Sequence, residues 1–304
     1  MAAESVVDHF ASDSRVQAVL LTGSCARGVA SPESCVDITL LVSPDDYAAY
    51  CREMPGIRRE VAQMPTFQAL AAAVPWSALD LELSSGEFCP KPRGWTSGAD
   101  DYELEIGNIL AWSHPLLQRG SRLRSLQEQY LPFYDDRLRA VRLGGALRFA
   151  RNDLAHVRPY ALRDLHFQAF KRLCHAYEEY LQALFIRRRI YPIAYDKWIE
   201  EQIVEILGDA PLYDELATLL TMPSLRVHRL VECAVRLGRL LDQLESEPPV
   251  ETPTSVLPLT ATSHTGVGPA CGHLCEERSA TVSRSHGPLP RHGDMAGRPS
   301  AGLR

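Results

Sequence analysis

The spacing of apolar residues changes character near the middle of the chain. In the first 120 residues the apolar positions come in short runs. Val16, Ala18, Val19, Leu20 and Leu21 form one, and Val36, Ile38, Leu40, Leu41 and Val42 form another. Runs of this length, bounded by small and polar residues, predict buried strands. Residues 77–83 alternate strictly, with Leu79, Leu81 and Leu83 on one face and Asp80 and Glu82 on the other, which predicts a further strand. Residues 115–120 predict a short strand and turn. Between these lie helical patterns: 2–12, with Val6, Val7 and Phe10 on one side, and a helix opened by Ser43-Pro44-Asp45-Asp46. That start combines an N-cap serine, a first-turn proline and first-turn acids. The helix is expected to run to about residue 53, with a separate short helix over 57–64. Residues 66–73 fit helix or strand, and 86–101 read as a loop rich in Gly, Pro and Ser.

From about residue 121 the period becomes helical and stays so. Helices are expected over 121–131, 135–157, 161–189, 196–207 and 222–245, with Pro159, Pro192, Pro211 and Pro223 at the breaks. After residue 247 the chain holds no Phe, Tyr, Trp or Ile, and a segment of that composition buries too little apolar surface to offset its ordering entropy. The resulting expectation is an α+β chain in three parts: a mixed sheet with helices over 1–120, an all-helical domain over 121–246, and a disordered tail over 247–304.

Composition narrows the function classes. A net charge of −6 over 304 residues argues against a nucleic-acid-coating protein, and no apolar run is long enough to span a membrane. The N-terminus has no charged segment followed by an apolar core, so the cytoplasm is the expected compartment. Eight cysteines without framework spacing are expected to be thiols in that setting. Cys271 and Cys275, with His273 between them, match no finger or ribbon spacing and are taken as chance.

The chemistry concentrates between the first two strands. Gly23 permits a sharp turn, and Ser24 with the backbone N–H groups behind it opens a short helix, an arrangement suited to phosphate oxygens. An unrelated strand-turn-strand with a chance Gly-Ser is the plain alternative. The stretch Gly23-Ser24-Cys25-Ala26-Arg27-Gly28, followed by Ser34-Cys35-Val36-Asp37, resembles the nucleotidyltransferases of the DNA polymerase β superfamily. The signature there is Gly-Ser, about ten residues, then Asp-x-Asp. The helical half is similar to that of many bacterial nucleotidyltransferase-domain proteins, in which a long helix ends in Tyr-Pro and the next begins near Lys-Trp; here these are Tyr191-Pro192 and Lys197-Trp198.

The resemblance implies that Gly23, Ser24, Arg27, Gly28 and Ser34 shape a site for a nucleoside triphosphate such as ATP. It implies that Asp37 and a later carboxylate, Asp80 or Glu82, serve Mg²⁺ and the transfer chemistry, with Asp37 and Asp80 as metal ligands. Lys197 stands apart from the resemblance: its ammonium is a point-charge partner for phosphate, or else a solvated neighbour of an aromatic anchor made by Tyr191, Tyr195 and Trp198. The acceptor would be a hydroxyl of a small molecule, of the aminoglycoside type, bound between the two halves. Asp100, Asp101, Glu103 and Glu105 are among the acids available to a cationic acceptor. The sequence departs from the pattern at one place: the first aspartate position holds Cys35. A thiol is a soft ligand and Mg²⁺ takes hard oxygen donors. A nucleotide-binding pseudoenzyme is therefore a second expectation. A protein-modifying or toxin–antitoxin nucleotidyltransferase is a third. Arg151 and His156 also fit the Arg-x4-His pattern of HEPN ribonucleases.

Overall fold

The computed structural model describes residues 2–74 and 77–248. The expected tail from 249 onward, with Cys271, His273 and Cys275, lies outside the described residues.

The first half is α1 (Ala2–Phe10), β1 (Val16–Thr22), α2 (Gly23–Arg27), β2 (Val36–Val42), α3 (Pro44–Ala62), α4 (Pro65–Ala71) and β3 (Leu79–Ser84). A π-helical turn (Glu103–Asn108) then runs into α5 (Ile109–Trp112), followed by β4 (His114–Gln118). The helical half comprises α6 (Arg122–Tyr130), α7 (Asp136–Ala161), α8 (His166–Arg188), a π-helical turn (Glu201–Ile206), α9 (Ala210–Leu220) and α10 (Val227–Ser246). The fold is α+β, and the described residues form a four-stranded sheet ordered β3-β2-β1-β4. β1 runs antiparallel to β2 and β4, while β2 and β3 are parallel.

Several boundaries differ from the sequence expectation, each for a local reason. The helix expected to stop near residue 53 continues through Pro55 to Ala62. Tyr50, Met54 and Val61 are buried and Ile57 packs beside them, so one apolar stripe spans both sides of the proline. Pro55 and Cys51, whose carbonyl loses its helical partner, are both exposed, and water can satisfy that carbonyl. Ser43 caps this helix as expected, its hydroxyl accepting from the Asp46 N–H at 3.1 Å. Pro159 lies inside α7, and the helix expected from 161 begins only at His166, after a turn with Asp164 at φ 57°. Pro211 opens α9, an element the periodicity did not indicate, with the Asp209 carboxylate accepting from the Leu212 N–H at 3.2 Å. The helix expected from 222 starts at Val227.

Each face of the sheet carries its own core. Val16, Val19, Ile38, Leu40 and Leu81 pack against α1, α3 and α4. Ala18, Leu20 and Leu41 face Tyr102, Ile106, Leu110, Leu123 and Leu126 on the opposite side. A third core fills the space between α7, α8, α9 and α10. Tyr191 is shared between the halves. Its hydroxyl donates to the Tyr130 carbonyl at 2.9 Å, and its own carbonyl accepts from the Trp112 indole N–H at 3.0 Å. A Cβ at Gly107 would fall on the Tyr191 ring, so only glycine allows this approach.

Candidate functional site

The face of β2 that carries Leu41 also carries Thr39 and Asp37, since alternate residues point the same way. Leu41 is roofed by the segment before β4, while Asp37 lies toward the other end. Across the parallel pair, Asp37 is in register with Asp80 and Thr39 with Glu82. Strand spacing of about 4.8 Å therefore sets the two aspartates side by side, with Glu82 one step further along β3. The register brings together the three acids that the sequence singled out.

Gly23 and Asp37 are locked to each other. Gly23 sits at φ 64°, and a Cβ there would fall on Asp37 Oδ2. α2 follows at once and ends at Gly28 with φ 74°, a left-handed turn that glycine accommodates. Ser24 is buried at the start of this helix. Ser34 is spent on the turn before β2, its hydroxyl accepting from the Ser31 N–H at 2.9 Å.

Cys35 occupies the place beside Asp37 that the resemblance assigns to a carboxylate. Its Sγ donates to Asp37 Oδ1 at 2.9 Å. Burial, that hydrogen bond and the nearby charges of Asp37 and Asp80 push the thiol up to about 11, so it is protonated at neutral pH. Burial raises the Asp37 carboxyl above its ordinary value and Asp80 adds to this, while the Cys35 hydrogen bond and the charges of Lys197 and Arg27 oppose it. Glu82 is raised as well, chiefly by desolvation, then by Asp80 and Asp37, with Arg58 and Glu105 as lesser influences of opposite sign.

Lys197 is exposed and near enough for its ammonium to act on Asp37. Arg27 is placed differently from the expectation of a side chain held out for a ligand. Its Nε and Nη2 donate to Oε1 and Oε2 of Glu201 at 3.2 and 3.3 Å, and its guanidinium lies 4.9 Å from the centre of the Trp198 ring. Glu201 and Trp198 were not foreseen. The hint in the sequence was polar spacing within the Lys197-Trp198-Ile199-Glu200-Glu201-Gln202 stretch, where a buried glutamine follows two acids.

The acids suggested for a cationic acceptor divide into two groups. Glu103 is fully buried and accepts from Arg142 Nε at 2.5 Å, Tyr134 Oη at 2.8 Å and Gln182 Nε2 at 2.8 Å. Asp100 is tied to the same Arg142 and Gln182, so both acids belong to the packing of the helical half. Asp101 and Glu105 stay at the surface with Lys91, at 3.4 and 3.6 Å. The Arg151–His156 pair does not converge. Arg151 is engaged by Asp242 and Glu245 of α10 at 2.8 and 2.5 Å, and His156 Nδ1 bonds to the Asn152 carbonyl in its own helix at 2.7 Å.

Among the described residues, no group of three or more His, Cys, Asp or Glu side chains is arranged to hold a metal ion. Asp37, Asp80 and Glu82 share a face but do not meet at one point. Mg²⁺ commonly takes only one or two protein carboxylates and completes its shell with substrate phosphates and water. The donor set fits one such ion on Asp37 and Asp80. It does not fit a two-ion cluster, because the third hard oxygen is replaced by a protonated thiol. None of the described helices is long and apolar enough to cross a membrane.

No protein-family model matches the chain, and no curated protein matches it. Among solved structures, it is similar to the crystal structure of a nucleotidyltransferase-like protein from Exiguobacterium sibiricum 255-15. The two are 14% identical over 80% of this chain and 74% of that one, with a TM-score of 0.43.

Proposed function

We propose that the protein is a nucleotidyltransferase that moves a nucleoside monophosphate from a nucleoside triphosphate, with ATP the expected donor, to a hydroxyl of a small molecule. The observation that carries this reading is the juxtaposition of the Gly23-Ser24 turn with Asp37, in register with Asp80 and one step from Glu82. In this reading residues 1–120 bind the nucleotide and 121–246 present the acceptor, with an aminoglycoside as the type to try first.

The N–H groups at the start of α2 and the Ser24 hydroxyl would take phosphate oxygens. Lys197, which acts on Asp37 across the site, would add a positive charge toward the leaving pyrophosphate. A single Mg²⁺ on Asp37 and Asp80 would supply charge neutralisation at the phosphates when bound. Glu82, desolvated and crowded by two aspartates, holds a proton more tightly than a free carboxylate, which makes it the better base for an attacking hydroxyl. The test is transfer of label from α-phosphate-labelled ATP to a panel of hydroxyl acceptors, with product masses determined. Label that stays with nucleotide across the panel overturns the enzyme reading.

A second reading, a nucleotide-binding pseudoenzyme, is favoured by the Cys35 hydrogen bond to Asp37. Calorimetric binding of ATP with and without Mg²⁺, on the natural protein and on Cys35→Asp, separates the two. The enzyme reading expects Mg²⁺ to tighten ATP binding in the natural protein, and Cys35→Asp to strengthen that dependence about tenfold by adding a hard ligand. If Mg²⁺ has an effect only in Cys35→Asp, the natural protein binds nucleotide without the chemistry.

A further inference from the structure

Arg27 is the last residue of α2, the short helix opened by the Gly23-Ser24 turn, yet the groups that hold it come from the far end of the chain. Glu201 grips it with both oxygens, and Trp198 covers one face of the guanidinium. The side chain is only 7% exposed, so it is fixed in place. The bidentate grip uses Nε and Nη2 and leaves Nη1 without a partner among the described residues. The charge is nevertheless felt at Asp37.

The segment that supplies this grip is itself over-determined. The Gln202 side chain is fully buried and serves as a template for the chain before it. Its Oε1 accepts from the Ile193 N–H at 2.6 Å, and its Nε2 donates to the Ala194 and Lys197 carbonyls at 2.9 and 3.1 Å. Trp198 is held at φ 60°, a left-handed conformation that costs free energy in a bulky residue and persists only where its surroundings enforce it. The Trp198 carbonyl accepts from the Gln202 N–H at 3.0 Å, closing that turn. One short segment thus presents Lys197, Trp198 and Glu201 to the α2 turn together.

We propose that Glu201 and Trp198 are positioning residues for Arg27, fixing its open Nη1 edge toward the phosphates of a bound nucleoside triphosphate. The proposal rests on the nucleotide-binding reading above. A guanidinium held on one edge by a carboxylate and stacked on an indole has little freedom left to lose when its other edge takes an anion. On this reading the helical half takes part in triphosphate binding through Glu201, a residue that never touches the ligand.

The test is a double-mutant cycle in the full-length protein, reading the dissociation constants of ATP and of AMP by calorimetry. Glu201→Ala should weaken ATP binding about tenfold and leave AMP binding unchanged. In an Arg27→Ala background the same substitution should have no effect on ATP, because Glu201 acts only through Arg27. Glu201→Gln, which keeps one hydrogen bond to the guanidinium, should recover part of the loss. Thermal unfolding of each variant identifies any that fail to fold, and Glu201→Gln then stands in for Glu201→Ala. If ATP affinity is unchanged in Glu201→Ala, or falls equally with and without Arg27, the positioning role is overturned while the nucleotide site stands. If the natural protein binds no triphosphate, both are overturned.

Discussion

At the scale of single residues, the site is costly to the fold that carries it. Asp37 is pressed against Gly23, set beside Asp80 and partly desolvated, and its carboxyl is raised as a result. The sign of the pH effect follows. The unfolded chain gives up this proton at the ordinary carboxylate pKa and the folded protein holds it to higher pH, so Asp37 subtracts stability as pH rises across that window. Asp37→Asn should therefore raise the melting temperature by a few degrees at pH 7 and by less at pH 4, while abolishing label transfer. Calorimetric melting at the two pH values checks the first part, and the α-phosphate assay the second. The placement of these acids on one face was largely legible in the sequence, because strand alternation alone assigns a side chain to a face. Asp80 and Glu82 could be read as a pair on one side of a strand well before their neighbour across the sheet was known. Arg27 was legible only as a member of a motif. Its ion-pair partner lies 174 positions away, and no local pattern carries that information.

At the scale of elements, helices that depend on burial were harder to bound than strands that depend on alternation. Pro159 read as a break and the helix before Pro55 was expected to end near residue 53, but each proline is carried inside a helix. Pro211 read as a break and instead opens one. A proline marks a missing N–H, and whether the chain stops there depends on packing that the sequence does not display. The two π-helical turns were not foreseen either, and both sit where the halves of the protein are keyed together. The second contains Gln202, whose amide satisfies backbone groups of 193–197. Gln202→Ala would leave buried donors and acceptors without partners, at a cost of about 2–4 kcal/mol. Urea unfolding should show that loss, and ATP affinity should fall with it, because the Lys197 carbonyl is held by one of these bonds and Trp198 follows it directly. A variant as stable as the natural protein would show that the segment is held by other means.

At the scale of the whole molecule, the helical half carries an electrostatic liability of its own. Asp153 of α7 and Glu179 of α8 are both fully buried and close enough for their charges to act on each other. Arg172 pairs with Asp153, Arg93 donates to Glu179 at 2.8 Å, and His175 and His156 face the same cluster. Desolvation and the Asp153 charge raise the Glu179 carboxyl, so it remains protonated in the fold where the unfolded chain would release the proton. Stability contributed by this group is full below the ordinary carboxylate range and is lost as pH rises toward the folded value. Glu179→Gln keeps a donor toward Asp153 and an acceptor for Arg93 without the titration. Its melting temperature should exceed that of the natural protein by a margin that widens from pH 5 to pH 8. A constant margin would mean that Glu179 does not titrate in that range. The sequence showed these residues only as polar positions on amphipathic helices, since pairing between α7 and α8 is a property of their packing.

The parallel register of β2 and β3 also determines where the chain can change length. Asp37 and Asp80 lie side by side because both strands are counted from the same row, and a residue removed from within Val36–Val42 would turn the side chains on one side of the gap over to the wrong face. The stretch from Val29 to Ser34 precedes that count, and residues gained or lost there leave the two carboxylates side by side. It is the natural place to lengthen, label or graft: a margin open to rewriting beside a line of text that is not.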